Sequence, residues 1–402
     1  MLFGADKEKT KNVSLGVILD IGSGSVGVAI VASSPAEKFP SILWSYREYL
    51  PISKDDTDTR NRISTTLLNV FLELDGKGLK ILRDKYPHHP PSIIQASLNA
   101  PFAYTISRNV LTESAKSMRV NSKLISALEN KATEGAHEQV ATALAKKTMN
   151  LATLSEVITS VKVDGYSVRL PYDGEGSRVS LHQLIGLTST NLIEEIELIR
   201  DKVLPKAQID FDSFMSLYSR ALLDIVSFKN DVGLISVTAK ATEMMAVSEG
   251  DPFISTFLTK GHHSLAGSIS EVSGLDMSES LGIMRDNDID HAKLLNKDKL
   301  EAIQSVISSY EDEMTSFIRS LGDALVIPKN IYLQIDKNYE KFFADSFSRS
   351  ISKATGLKHT VYPFTSKFFD FDTEADSRIL CPAYIFHKKL YSDGLAEDRY
   401  LL

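Results

Sequence analysis

The sequence has almost no cysteine. Of its 402 residues only Cys381 carries a thiol, so an internal disulfide framework and a cysteine-rich zinc site are both excluded. A reducing, cytoplasmic setting fits that usage. Long apolar runs are also missing. No stretch approaches the roughly 18 residues that span a bilayer, and the N-terminus (Met1-Leu-Phe-Gly-Ala-Asp6-Lys7) lacks a signal-peptide apolar core. The chain is therefore expected to be soluble, or to sit at a membrane only through a partner. A basic excess is missing as well. Forty-five Lys and Arg face 52 Asp and Glu, for a net charge of -7, which disfavours nucleic acid as the main partner. What remains is an ordinary globular balance, 43% hydrophobic and 24% charged, in a chain long enough for two or more domains.

Against these absences one stretch is prominent: Leu15-Gly-Val-Ile-Leu-Asp20-Ile-Gly22-Ser23-Gly24-Ser25-Val-Gly27-Val-Ala-Ile-Val-Ala32. An apolar run ends in an acid and a Gly/Ser turn, and a second apolar run follows at once. Glycines let backbone approach a phosphate closely, and turn N–H groups can cradle one. Gly22, Gly24 and Gly27 match the dinucleotide spacing G-x-G-x-x-G. That motif needs a helix after the glycines. Here only the β-branched run 28–34 separates Gly27 from Pro35, which reads as a strand. Glu48 lies at the offset of a ribose-binding acid, but without the helix the offset has no meaning. The stretch reads as a strand–turn–strand hairpin, and whether its glycines touch phosphate or only close the turn stays open.

In chain order, 1–13 is a polar arm, and 41–49 is a third strand. A helix covers about 55–82, ended by Pro87, Pro90 and Pro91, and 92–98 is a buried strand. A strand follows at 102–107, and a helix at 122–149 that Gly135 is expected to break. Strands at 157–163 and 166–170 are joined by the turn signal Asp164-Gly165, and 181–187 is another strand before a helix at 191–203. Residues 93–205 thus form a small α+β insertion between 14–92 and 206–380. The latter opens with an amphipathic helix at 211–228. A second hairpin at 232–248 echoes the first and points to a duplicated fold. Helices at 264–272, 278–284, 297–320 and 339–354 and strands at 330–335 and 358–362 complete it. Residues 381–402 are read as a tail.

This order resembles the FtsA/PilM branch of the actin-like ATPase superfamily over about residues 14–370. Asp20-Ile-Gly22-Ser23-Gly24-Ser25 is similar to that family's first phosphate loop. The segment 157–187, with Asp164-Gly165 and Pro171, is similar to the last strands of its inserted subdomain. The PilM-type members are the nearer resemblance, because FtsA-type chains usually end in a basic amphipathic helix that residues 392–402 do not form. The resemblance implies an α/β, actin-like (ribonuclease H-like) duplicated fold with a small inserted subdomain. It implies ATP and Mg²⁺ held between two phosphate loops, with Asp20 on the metal side. Asp20, Gly22, Ser23, Gly24, Ser25 and Thr242 are the residues that match.

Departures are as informative. The family often has a basic residue at the position of Gly27. Its second loop reads D-x-G-x-x-x-T, whereas this chain has Ser236-Val-Thr238-Ala-Lys240-Ala-Thr242. Gln334-Ile-Asp336-Lys337-Asn338 stands where paired glycines admit adenosine, and Ser280-Leu-Gly-Ile-Met284 where a lysine is usual. Hydrolysis needs positioned metal, neutralised phosphate and an oriented water. The expectation is a degenerate member that binds nucleotide weakly or not at all. The resemblance implies a scaffold of a type IV pilus or related inner-membrane machine. Its partner would be a short N-terminal peptide of an inner-membrane protein similar to PilN, in a groove between the first half and the insertion, with self-association possible. The alternative is an FtsA-like ATPase that polymerises at the membrane in cell division. An actin-like sugar kinase fits least, since its insertion differs.

Other clusters carry less. The adjacent pairs His88/His89 and His262/His263 are read as loop residues. Asp286, Asp288 and Asp290 are read as solvated acids without a calcium-loop glycine or closing glutamate. Met244, Met245, Phe368, Phe369 and Phe371 are read as core.

Overall fold

Residues 15–32 are apolar at nearly every position, the pattern of strands covered on both faces. The computed structural model describes residues 13–52, 59–87, 89–143, 150–226, 231–286, 296–320, 327–369, 375 and 377–391. In it β1 (Ser14–Ile21) and β2 (Ser25–Ser33) form the expected antiparallel hairpin, with Asp20 opposite Gly27. Side chains alternate between two cores. Leu15, Val17, Leu19 and Ile21 enter one, while Ile18, Ala29 and Val31 enter another on the opposite face. β3 (Ser41–Tyr49) pairs with β2. Helix α1 (Thr59–Glu73), a π-helical turn (Leu74–Gly78) and α2 (Leu79–Lys85) follow. The wide turn lets backbone pass over an indole, since a Cβ on Gly78 would lie 2.7 Å from the Trp44 ring. β4 (Ile93–Leu98) then runs parallel to β1.

The insertion comprises β5 (Ala103–Val120), α3 (Ser122–Ala143), β6 (Leu151–Val163), β7 (Tyr166–Val168) and β8 (Gly174–Ser189), in the sheet order β5-β8-β6-β7. Ile125, Leu128, Ala132, Ala136 and Val140 of α3, at helical spacing, pack on this sheet. Helix α3 runs unbroken through Gly135. The glycine serves packing there, because a Cβ would fall 2.5 Å from the Arg108 guanidinium. Asp164 and Gly165 both have positive φ, at 51° and 86°, as a two-residue hairpin turn requires.

The chain returns through α4 (Thr190–Val203), β9 (Gln208–Ser213) and α5 (Phe214–Val226). The expected helix at 211–228 thus begins later, at Phe214, and β9 was hidden by its polar alternation, Gln-Ile-Asp-Phe-Asp-Ser. The second half holds β10 (Val232–Val237), β11 (Thr242–Ser248), β12 (Asp251–Leu258), α6 (His262–Ser273), α7 (Met277–Asp286) and α8 (Lys297–Arg319). It ends with β13 (Asn330–Gln334), α9 (Glu340–Thr355) and β14 (Thr360–Pro363). Helix α10 (Ser377–Tyr391) closes the described chain.

The two main sheets have the orders β3-β2-β1-β4-β9 and β12-β11-β10-β13-β14. Each runs antiparallel, antiparallel, parallel, parallel. The duplication is therefore complete strand for strand. β4 and β9 belong to the first sheet, which places the inserted sheet within 103–189 rather than across 93–205. Residues 381–391 are not tail. They lie in α10, whose Ile379, Ala383 and Phe386 cover Ile18, Ala29 and Val31. A Cβ on Gly16 would meet Phe386 at 2.4 Å, so the glycine admits the ring. Helix α5 packs on the second sheet, and Leu380, Cys381 and Tyr384 of α10 join the same core. Among the described residues no helix is long and apolar enough to cross a membrane. The expectations on residues 1–12, 55–58, 144–149, 392–402, His88, Asp288, Asp290, Phe371 and the Asp286 side chain lie outside the described residues.

Candidate functional site

The hairpin turn of each half points at the other. In the first, the Gly22 N–H donates to the Ser25 carbonyl at 2.9 Å and closes the turn. Asp20 is the penultimate residue of β1 and is fully buried. A buried carboxylate needs partners, and Asp20 has them. Its Oδ2 lies 2.9 Å from Arg47 Nη1, and its Oδ1 accepts from Asn99 Nδ2 at 2.7 Å. Arg47 also donates to Ser25 Oγ at 2.9 Å. It reaches both because β3 register sets it opposite Gly27, where a Cβ would sit 2.7 Å from its guanidinium. The basic group absent at position 27 is thus supplied from the neighbouring strand, and the glycine makes the room.

The second turn is built alike, with Thr238 N–H donating to the Ala241 carbonyl at 2.8 Å. Ser236, one place before the end of β10 as Asp20 is in β1, donates to Gln334 Oε1 at 3.1 Å. Glu243 faces Ser236 across the hairpin as Gly27 faces Asp20. Its carboxylate accepts from the Thr105 N–H at the start of the insertion, at 3.3 Å. Burial pushes this carboxyl up to about 8, against the lowering pull of backbone N–H groups at Thr105 and Ala100. Thr242, the one residue of the second motif that matched, donates to the Lys260 carbonyl at 2.8 Å and does not join the others. Asp20, Gly22, Ser23, Gly24 and Ser25 do come together.

The turns touch. Ser23 Oγ donates to Thr238 Oγ1 at 3.1 Å and accepts from the Lys240 N–H at 3.0 Å. Gly24 packs so closely on Ala239 that a Cβ would lie 2.9 Å from that methyl. Thr238 Oγ1 donates to the Ala100 carbonyl at 2.8 Å and accepts from the Ala241 N–H at 3.1 Å. His262 and His263 at the start of α6 donate their N–H groups to Thr238 and Ala239 carbonyls at 3.1 and 2.9 Å. These histidines are helical rather than loop residues, and His262 is buried. Burial drives its imidazole down to about 3 although Asp336 pulls the other way.

A guanidinium lies beside this contact. Arg378 of α10 is 1% exposed. It donates through Nη2 to the Val237 carbonyl at 2.8 Å and lies 3.5 Å from Asp336 Oδ1. Burial pushes Asp336 up, but opposing charges outweigh it, Arg378 first and Arg47 among the rest, and hold the carboxyl below its ordinary value.

A Mg²⁺-nucleotide does not fit these residues as they stand. The acid on the metal side is engaged by Arg47 and Asn99. The Gly22, Thr238, Lys240 and Ala241 amides, which a phosphate nest would use, already have acceptors within the chain. The two turns are in contact. Among the described residues, no group of three or more His, Cys, Asp or Glu side chains is placed to share a metal ion. Sequence reasoning found the Asp20 turn but missed Arg47, Asn99, Asp336 and Arg378. The one available signal was charge inside apolar surroundings, as in Tyr46-Arg47-Glu48-Tyr49 and Arg378-Ile-Leu-Cys381.

No family model matches the sequence, and no curated protein matches it. Solved structures do match. A chain of a structure described as the PilM-PilN type IV pilus biogenesis complex is 13% identical. The match covers 93% of this chain and 97% of that one, with a TM-score of 0.57. The ethanolamine utilization protein EutJ from Carboxydothermus hydrogenoformans is 9% identical, covering 93% and 89%, with a TM-score of 0.42. A Bacteroides thetaiotaomicron protein with actin-like ATPase fold and unknown function is 9% identical, covering 89% and 92%, at 0.38. With its duplicated sheets, paired turns and small inserted sheet, this chain has the actin-like fold, similar to that of a chain of the PilM-PilN complex.

Proposed function

We propose that this protein is a PilM-like scaffold at the cytoplasmic side of a type IV pilus or related inner-membrane assembly machine. A short N-terminal peptide of an inner-membrane protein similar to PilN recruits it, seated between the first half and the insertion. The observation that carries this reading is the structural match to a chain of the PilM-PilN complex over nearly the whole length of both chains. The state of the turns supports a scaffold over a polymerising ATPase. Asp20 is neutralised by Arg47, and the amides that would orient phosphate are spent on internal hydrogen bonds. Such a site offers neither an open carboxylate for a metal nor a free amide cradle, the parts on which phosphoryl transfer relies.

The insertion is also fixed firmly enough to form one wall of a groove. Thr105 Oγ1 donates to Ser213 Oγ at 2.8 Å, and Ser155 Oγ donates to Asp212 Oδ1 at 2.5 Å. These bonds tie β5 and β6 to the first sheet's edge strand β9. Preorganised walls reduce the ordering cost of binding an extended peptide. The test is fluorescence titration of the protein with a labelled N-terminal peptide of a bitopic inner-membrane protein encoded beside it. Saturable binding in the micromolar range, blocked by unlabelled peptide, is expected. Absence of binding together with ATP-dependent pelleting would replace the scaffold reading with the FtsA-like one.

A further inference from the structure

We propose that Arg378 is a built-in clamp, a guanidinium that holds the two turns closed without a bound nucleotide. Arg378 heads the largest fully buried side chains of the molecule. Arginine enters an interior only when it is paired and hydrogen-bonded. Its partners lie at the ends of two neighbouring strands of the second sheet. Val237 is the last residue of β10, and Asp336 follows β13 by two positions. The first turn is adjacent, since a Cβ on Gly22 would lie 3.5 Å from Arg378 Nη1. One planar group therefore binds at the ends of two strands of the second sheet and lies beside the first turn.

The helix that carries it is anchored on the first sheet. Below Arg378, α10 buries Ile379, Ala383 and Phe386 against β1 and β2. His387 Nδ1 lies 2.6 Å from Ser33 Oγ, and Lys389 is paired with Asp210 of β9. The helix thus lies on the first sheet through one face and joins the core of the second through Leu380, Cys381 and Tyr384, and its guanidinium bonds the strand ends of the second. Its charge fits the arrangement. Arg378 and Arg47 bring two positive charges, and Asp336 and Asp20 bring two negative ones. This set of four is neutral within the chain. It requires neither the divalent cation nor the phosphates that balance carboxylates in a loaded nucleotide cleft. The guanidinium presents its two Nη groups in fixed directions, Nη2 to the Val237 carbonyl and Nη1 toward Asp336, a planar geometry that the point charge of a lysine does not reproduce.

Backbone hydrogen exchange of the full chain tests the clamp, read at the Gly22, Lys240 and Ala241 amides. In the wild type these amides are expected to be protected, and equally so with and without Mg-ATP. In Arg378→Ala their exchange accelerates on the order of a hundredfold, as breaking a buried pair predicts, and ethylguanidinium restores protection where ethylammonium does not. If Arg378→Ala fails to fold, Arg378→Lys carries the test, with exchange about tenfold faster at the same amides. Unchanged exchange in the variant that folds, rescue by both cations alike, or wild-type protection that appears only with Mg-ATP would each overturn the clamp. The scaffold reading is not touched by any of these outcomes, because none involves a partner peptide.

Discussion

The two hairpins of this protein share topology and turn closure but solve opposite electrostatic problems. In the first, an acid stands near the end of the inner strand and a glycine faces it. In the second, the inner strand carries a serine and the facing residue is an acid, Glu243. The third strand follows suit. Arg47 lies beside Gly27 in one half, and Phe257 beside Glu243 in the other. The first half therefore pairs its carboxylate with a guanidinium and an amide. The second buries a carboxyl against the insertion and favours its protonated form. A duplicated frame sets positions, and the side chains placed in them decide whether the site between the halves takes a ligand or closes on itself.

That contrast is open to breakage, and the largest effect is expected in the first half. Arg47→Ala leaves Asp20 buried without its counter-ion and should destabilise the protein by about 3–5 kcal/mol, read as a drop in the urea midpoint. Gly27→Ala should move the same way by about 1–3 kcal/mol, because its methyl displaces the guanidinium from Asp20. A variant as stable as wild type in both cases would dissolve the pairing.

In the second half the effect depends on pH. The folded carboxyl of Glu243 holds its proton up to about 8, whereas the unfolded chain releases it near its ordinary value. The native state therefore binds more protons between those limits. The contribution is fully present below the unfolded value and is lost as pH rises toward about 8. Glu243→Gln should gain stability relative to wild type as pH goes from acid to mildly alkaline, by a few kcal/mol at most. A constant difference across that range would show that Glu243 is ionised in the fold. Restoring the second motif tests the same contrast from the other side. Ser236→Asp with Thr238→Gly is expected to give no Mg-ATP shift in melting temperature, since Arg378 and Arg47 still close the site. Smallest is Gly282→Ala on α7, where a methyl meets open space. It should stabilise by about 0.5–1 kcal/mol and leave exchange at the turns unchanged.

Much of the frame was legible from sequence because it rests on local patterns. The runs at 15–32 and 232–248 read as strand–turn–strand hairpins, and Asp164-Gly165 read as a hairpin turn. β9 was not legible, since its alternating acids look like a surface segment, nor was α10, most of which was read as tail. The turn at Asp20 was found. What neutralises it was not, because Arg47 reaches Asp20 only through strand register, and Arg378 is 141 positions from the carbonyl it binds. Pairing of that kind is a property of topology and leaves no spacing to read. The departure of Ser236 and Thr238 from the expected motif pointed to lost chemistry. It did not show that the chain's own guanidiniums stand at the site.

Calorimetric titration of the wild-type protein with Mg-ATP tests the central claim most directly. A cleft closed by Arg47 and Arg378 predicts no heat of binding up to about millimolar nucleotide. Sub-micromolar binding, or ATP turnover that disappears in Asp20→Ala, would contradict it.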